Sequence, residues 1–517
     1  MRLAPKDGWE SLKIFLVTLG SFTYAYASSI IGTTLAQPSF ISYFGLDTAS
    51  NTPQVEGAIN GVFQAGGLIG ALTCTWTADK FGRRKALFVG SMFATVGGAL
   101  QAGSVHMAMF IIMRFISGLG IGALITLVPL YLTEVAPPKI RGLVVGTTGI
   151  MIGFGYASAS WIGFGFYFLE NGSGAQWRVP IAIQCVPALG LAFSVFFLAE
   201  SPRWRKIPTV IANDRYEEAF QVFVKVHAES SDQADMNSVH AEFELIRAQI
   251  IHEKHNAVRF LDLFTHKTLR RRTLVGFLTL LGGQAAGTQV VNNYGPSLYA
   301  ALGYDGTQTL LIQCCWITTV AIGNIINASI IDKLGRRPLL HFGFAACIIA
   351  MIGECVTVST FQRSGSRPAA SAAVFFLFLE VFCYASTLDA TTYVYSSEVF
   401  PTPMRAKGMA VSISGLFLGG LLILEPAPTA FASIHWKYFL VFVCASSVML
   451  VVVHFLFPET NQKSLEEISA LFGDTVEHDP VSADGQNLSI FEDRGGDKAP
   501  VDVNLKVKGT NTSGRSD

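Results

Sequence analysis

Twelve stretches of this chain are apolar for about 20 residues each, the length that lets one α-helix cross a hydrocarbon core of ~30 Å. They run approximately over residues 12–33, 56–78, 86–104, 107–132, 143–168, 178–199, 272–300, 307–331, 338–358, 371–397, 408–431 and 437–457. Lipid offers no hydrogen bonds, so a spanning segment must satisfy its own backbone, and a helix does so alone. Only 14% of the 517 residues are Asp, Glu, Lys or Arg, against about a quarter in a soluble domain. The expectation is an all-α membrane protein with twelve transmembrane helices and the lipid bilayer as its surroundings. A formal net charge of zero offers nothing to a nucleic acid, and no nucleic-acid partner is expected. The first apolar stretch follows a short region, 1–11, without a small-residue cleavage site, so it reads as retained rather than as a signal peptide.

Charge placement gives the orientation. Lys80, Arg83, Arg84, Lys85, Lys139, Arg141, Arg270, Arg271, Arg272, Lys333, Arg336, Arg337, Arg405 and Lys407 fall in alternate loops on one side. The intervening loops carry only Arg178, Arg363, Arg367 and Lys437. Positive loops stay in the cytoplasm, so both termini and the segment 200–271 are expected there, with a plasma-membrane location. That segment reads as amphipathic helix around 216–227 and 239–255, and the tail 458–517 as disordered from about 479. The eight cysteines lie inside apolar stretches without metal-ligand spacing and read as small buried hydrophobes. Asn171-Gly-Ser is a sequon in a short loop, expected to remain unmodified.

The chain repeats itself. DKFGRR (Asp79–Arg84) returns as DKLGRR (Asp332–Arg337), and TEVAPPKIRG (Thr133–Gly142) returns as SEVFPTPMRAKG (Ser397–Gly408). AESPR at 199–203 has its counterpart in Pro458-Glu459-Thr460. The halves are thus 12–199 and 272–457, two six-helix bundles joined by 200–271, with a solute site expected between them near the midplane. Asp79, Arg83, Glu134, Arg141, Glu200, Asp332, Arg336, Glu398, Arg405 and Glu459 recur at one end of both halves. They form a candidate cytoplasmic gating network, or anchors of helix ends. Gly82 and Gly335 are expected to permit the turn that presents the arginines.

These motifs, with RFISGLGIG (Arg114–Gly122), ESPRW (Glu200–Trp204) and YSSEVFPTPMRAKG (Tyr395–Gly408), resemble the sugar porter family of the major facilitator superfamily, and its fungal members in flavour. The resemblance implies the major facilitator fold and alternating-access transport of hexoses, polyols or related compounds. The positions that touch solute in the family match less well. The seventh-helix run Gln-Gln-x-x-Gly-x-Asn reads Gly283, Gln284, Ala285, Ala286, Gly287, Thr288, Gln289 here. The fifth-helix Gln falls at about Gly149, the tenth-helix Trp at Tyr393, a tenth-helix Gly at Asp389, and the eleventh-helix Asn near Leu416. In proton-coupled members the arginine matching Arg114 faces an Asp of the first helix, which here is about Tyr26.

Arg114 is the only Lys or Arg well inside a span, where it costs about 2.5–3.5 kcal/mol. It either faces the cavity and recognises a polar or anionic solute, or bonds to backbone carbonyls and fixes the fourth helix. Glu380 and Asp389 are nine residues apart, half a turn in a regular helix. Asp389, on the face of Tyr393, is the expected cavity acid, and Glu380 a packed bundle residue. Glu354 and Glu425 sit toward the outer ends, where water is expected to reach them. In the seventh span Gln284, Thr288 and Asn292 recur every four residues, with Gln289 and Asn293 on an adjacent stripe. Amides and hydroxyls both donate and accept, which suits polyol hydroxyls. Gly282, Gly283 and Gly287 would let that helix unwind. Tyr24, Tyr26, Gln64, Trp161, Tyr294 and Gln313 are weaker candidates. The expected function is transport of a sugar or polyol, facilitative or proton-coupled, with a quinate-like organic acid or specialised metabolite as the rival cargo. A non-transporting nutrient sensor is disfavoured by a tail of about 60 residues. No nucleophile–base pair or metal cluster is evident, so neither an enzyme nor a cofactor is expected.

Overall fold

The computed structural model describes residues 8–135, 141–169, 174–198, 260–401, 404–463 and 465–473. The first half contains α1 (Gly8–Thr34), α2 (Pro38–Phe44), α3 (Thr52–Phe81), α4 (Arg83–Ala102), α5 (Met107–Val135), α6 (Arg141–Tyr167), α7 (Ala175–Ile183) and α8 (Cys185–Ser194). The second contains α9 (Asp262–Thr265), α10 (Lys267–Gln284), α11 (Thr288–Ala301), α12 (Gly306–Leu334), α13 (Arg336–Ser364) and α14 (Arg367–Tyr384). A π-helical turn (Ala385–Asp389) then leads to α15 (Ala390–Glu398), α16 (Arg405–Leu424), α17 (Ala427–Ile434), a 3₁₀ turn (His435–Tyr438), α18 (Phe439–Leu456) and α19 (Leu465–Phe472).

Among the described residues ten helical stretches are long and apolar enough to cross a membrane. They account for the twelve expected spans once two facts are added. The stretch Arg405–Leu456 holds both α16 and α18. The third expected span is α4, which begins with Arg83, Arg84 and Lys85 and is absent from the ten. Three expected spans are interrupted: α7 passes to α8 at Gln184, α10 to α11 at Ala285–Gly287, and α14 to α15 through the π turn. The outer surface is apolar, with Phe455 76%, Ile325 71% and Phe193 66% exposed, as a lipid-facing belt requires. Cys315 and Cys444 belong to that surface, which corrects the expectation that all eight cysteines are buried.

Within each half α3 lies on α5, α4 on α5, α10 on α16, and α13 on α14, and glycines such as Gly70, Gly97, Gly122 and Gly415 sit where the neighbouring backbone comes too close for a Cβ, as membrane packing favours. The halves meet through α3 with α16, α6 with α12, and α1 with α11. The expected helices at 216–227 and 239–255, Glu200, Asn171 and the tail beyond 473 lie outside the described residues.

Candidate functional site

The repeated motifs fold alike. α3 ends and α4 begins at Gly82 (φ 95°), and α12 passes to α13 at Gly335 (φ 90°), a backbone conformation that a Cβ disfavours. Each turn aims an arginine back into its own half. Arg83 Nε and Nη2 donate to Glu134 at 3.2 Å each, and Nη1 donates to Asp79 at 3.1 Å. Arg336 Nη2 lies 2.9 Å from both Glu398 and Asp332. Both arginines are largely buried, at 9% and 8% exposure, so the pairs are screened less than surface ones. The Glu459 carboxylate accepts the backbone N–H groups of Arg336 (3.1 Å) and Arg337 (2.9 Å) at the start of α13, where a negative charge complements the helix end. Thr460 Oγ1 donates to Glu398 at 2.7 Å. Arg405 opens α16, whereas the Arg141 side chain and Glu200 lie outside what is described. Each pair named here joins residues of one half, so these contacts brace the halves internally.

At the opposite end the halves touch directly. Ser29 Oγ donates to Asn292 Oδ1 at 3.1 Å, and Gln289 Nε2 donates to Ser28 Oγ at 3.3 Å. The Tyr294 hydroxyl reaches the Leu424 carbonyl (2.9 Å) and the Glu56 carbonyl (3.3 Å). Gly32 packs against the Asn292 backbone and Gly57 against the Glu425 backbone, each too closely for a Cβ.

Between these ends lies a cavity of about 50 Å³ lined by both halves. Its walls carry Gln284, Thr288, Gln289, Asn292, Asp389 and Tyr393 from the expected set, together with Tyr24, Tyr156, Tyr384, Trp316 and Leu416. The break between α10 and α11 supplies four of them. Gly287, at φ 88°, is the residue that unwinds. Gly282 serves close packing instead: a Cβ there would sit 2.2 Å from Met449.

The π turn places the next group. Residues five apart are 140° apart in an α-helix, whereas an i→i+5 turn brings them back toward one face. Tyr384, Asp389 and Tyr393 therefore all reach the cavity. The half-turn reckoned between Glu380 and Asp389 assumed a regular helix and does not apply. Glu380 is nonetheless packed away from the cavity, 0% exposed, with Thr288 Oγ1 donating to it at 2.6 Å. Asp389 Oδ2 accepts from Asn324 Nδ2 at 2.8 Å.

Three expected residues lie elsewhere. Asn293 is buried, and its Nδ2 donates to the Gln289 carbonyl at 2.9 Å. The Tyr26 hydroxyl donates to the Pro180 carbonyl at 2.9 Å. Arg114 is 1% exposed, donates through Nη1 to the Ala27 carbonyl at 2.8 Å, and stacks 4.1 Å above the Phe63 ring. Glu354, expected where water reaches it, is instead 1% exposed, and it shares the lining of a second cavity with residues of α17 and the 3₁₀ turn.

What this arrangement can do follows from its inventory. Four tyrosines, three amides, a threonine and one carboxylate surround the space, with no Lys, Arg or His among the described residues that line it. Such walls offer hydroxyl donors and acceptors in several directions and aromatic faces for apolar ring surfaces. The volume is below the few hundred Å³ of an ordinary small-molecule site, so entry requires the halves to part.

Comparison with known proteins agrees with this architecture. The chain is 33% identical over 461 residues to the MFS-type transporter criB of Aspergillus cristatus, covering 88% of this chain and 92% of the relative. It is 30% identical over 500 residues to the high-affinity glucose transporter of Kluyveromyces lactis, covering 92% and 87%. It is 28% identical over 501 residues to a probable quinate permease of Aspergillus terreus, covering 91% and 89%. Among solved structures it is similar in fold to the inward-open xylose transporter XylE from E. coli, with a TM-score of 0.69 at 21% identity over 89% of this chain and 99% of that one. The model of the family described as "Sugar (and other) transporter" matches residues 13–472, and the chain belongs to that family, as a multi-pass membrane transporter of the major facilitator fold.

Proposed function

We propose that this protein carries a neutral polyhydroxylated solute, a sugar or polyol, by alternating access to the cavity between its halves, 12–199 and 272–457. The observation that carries the reading is the charge of the cavity wall: among the described residues that line it, Asp389 is the one carboxylic acid and none is Lys, Arg or His. A carboxylate solute would meet an acid and no cation, a like-charge juxtaposition that costs affinity. Gln284, Gln289, Asn292 and Thr288 would address solute hydroxyls, and Tyr24, Tyr156, Tyr384 and Tyr393 would pack against its ring. Asp389 would either bind hydroxyls as a carboxylate or carry a proton in a coupled cycle.

The alternation of Lys and Arg between loops supports cytoplasmic termini, with 200–271 and the tail from 458 on that side and a plasma-membrane location. On this topology the ion-paired ends face the cytoplasm, and the contacts of Tyr294, Ser29 and Gly57 seal the outer face. The rival cargo, a quinate-like acid, is favoured by similarity to the quinate permease and disfavoured by the wall.

Uptake of labelled hexoses, pentoses, polyols and quinate by transporter-deficient yeast expressing the protein tests the reading. Saturable uptake of a neutral solute is expected; uptake of quinate alone overturns the assignment. Persistence in a protonophore marks a facilitative carrier, and loss that Asp389→Asn reproduces marks Asp389 as the proton site.

A further inference from the structure

A second cavity, of about 200 Å³, lies at the end where the halves touch and shares no lining residue with the central one. It sits between the start of α3, the far end of α11, the end of α13 and the α17–3₁₀ corner. Two of its lining residues are carboxylates, Glu56 and Glu354; among the described residues that line it His435 is the one basic side chain, and none is Lys or Arg. Glu354 is 1% exposed, and its Oε2 has no hydrogen-bond partner. A buried carboxylate oxygen without a partner is costly, and such an orphan in a folded protein calls for a missing donor or ion. Four aromatic rings, Phe361, Phe431, Trp436 and Phe439, also line it. Ring faces attract cations, Trp most strongly.

We propose that this cavity binds a small organic ammonium ion with an apolar body. Its N–H groups donate to Glu354, the Glu56 carboxyl group offers a second acceptor, and its body packs against the aromatic rings. A metal ion is a poorer fit, because most of the wall is apolar and hard cations take six or more oxygen ligands. Occupancy also has a consequence for transport, which rests on the transporter reading above. Tyr294 lines this cavity while its hydroxyl ties Glu56 to Leu424 across the halves. A bound ammonium ion therefore favours the state in which this end is closed, and slows turnover without occupying the central cavity.

The test uses the purified full-length chain in detergent, with 2-phenylethylamine and its neutral counterpart 2-phenylethanol as probes in equilibrium dialysis. The amine is expected to bind at least tenfold more tightly than the alcohol. Glu354→Gln should abolish that preference, and Trp436→Leu, at a half-buried position, should weaken both ligands. Equal affinities, or a preference that survives Glu354→Gln in folded protein, overturn the proposal. If Glu354→Gln does not fold, unchanged amine binding by Trp436→Leu overturns it instead. In uptake assays the amine should inhibit, and Trp436→Leu should relieve that inhibition; inhibition undiminished in Trp436→Leu protein would place the amine elsewhere and overturn the assignment. The binding arms stand whether or not a transported solute has been found.

Discussion

Gly57 offers the sharpest perturbation. Its backbone lies against Glu425 of the other half, so that a Cβ built there would stand 2.1 Å from the Glu425 carbonyl oxygen. The three nearest atoms, the Glu425 carbonyl oxygen, its carbon and Cα, are all main chain, and no rotamer change relieves them. Gly57→Ala must therefore push the α3 and α16 ends apart by on the order of 1 Å to restore ordinary contact. Overpacking of this kind costs about 1–3 kcal/mol, and only in the state where this end is closed. The state open at this end keeps its stability, so its relative population rises about 5- to 150-fold. Ser29 reports on it: it is 1% exposed and bonded to Asn292 across the seal. In a background with the two exposed cysteines, Cys315 and Cys444, changed to Ser, Ser29→Cys should react with a charged methanethiosulfonate at a rate raised by that factor when Gly57→Ala is added. An unchanged or slower rate, in protein whose circular dichroism is intact, refutes the reasoning, because the closed end would then have absorbed the clash without parting.

Other perturbations separate structural from functional roles. Thr288→Val removes the donor to buried Glu380 and should lower stability by about 1–3 kcal/mol, read as a fall in Tm that Thr288→Ser largely restores. Arg114→Met removes a group bonded to the Ala27 carbonyl and stacked on Phe63; it should reduce Tm and protein yield while leaving the ranking of solutes in uptake unchanged. Glu134→Gln weakens the buried bidentate pair with Arg83, for which removal of a partner costs about 3–5 kcal/mol at most; the loss should appear in thermal unfolding and be smaller for the exposed Asp79→Asn.

The helical membrane architecture was legible because bilayer thickness imposes a length and lipid imposes apolarity, and both are local properties of sequence. The repeated Asp-Lys-x-Gly-Arg-Arg turns were legible for a similar reason: Gly82 and Gly335, expected to permit the turn, stand in it at positive φ. The amide stripe of the seventh span also led to the cavity, since Gln284, Thr288, Gln289 and Asn292 line it. What failed were inferences that carried a regular helix through an irregular one. The π turn at Ala385–Asp389 alters the phase of everything after it, and no residue type in Ala-Ser-Thr-Leu-Asp announces it. It is what brings Tyr384 into line with Asp389 and Tyr393. Tyr156 was missed because its neighbours, Gly155 and Ala157, gave no polar periodicity to follow. Arg114 could not be placed from sequence, since its partners are a backbone carbonyl and a ring face on other helices, and neither leaves a trace in residue identity.

The central claim is that a neutral polyhydroxylated solute is carried through the cavity between the halves. Counterflow in liposomes holding the purified protein tests it most directly, with a labelled hexose, a labelled polyol and labelled quinate compared in wild type and Gln284→Leu. Saturable exchange of a neutral solute, with KM raised about 3- to 10-fold by loss of the Gln284 amide and little exchange of quinate, is the predicted result. Preferred exchange of quinate, or a KM unmoved in folded Gln284→Leu protein, would contradict it.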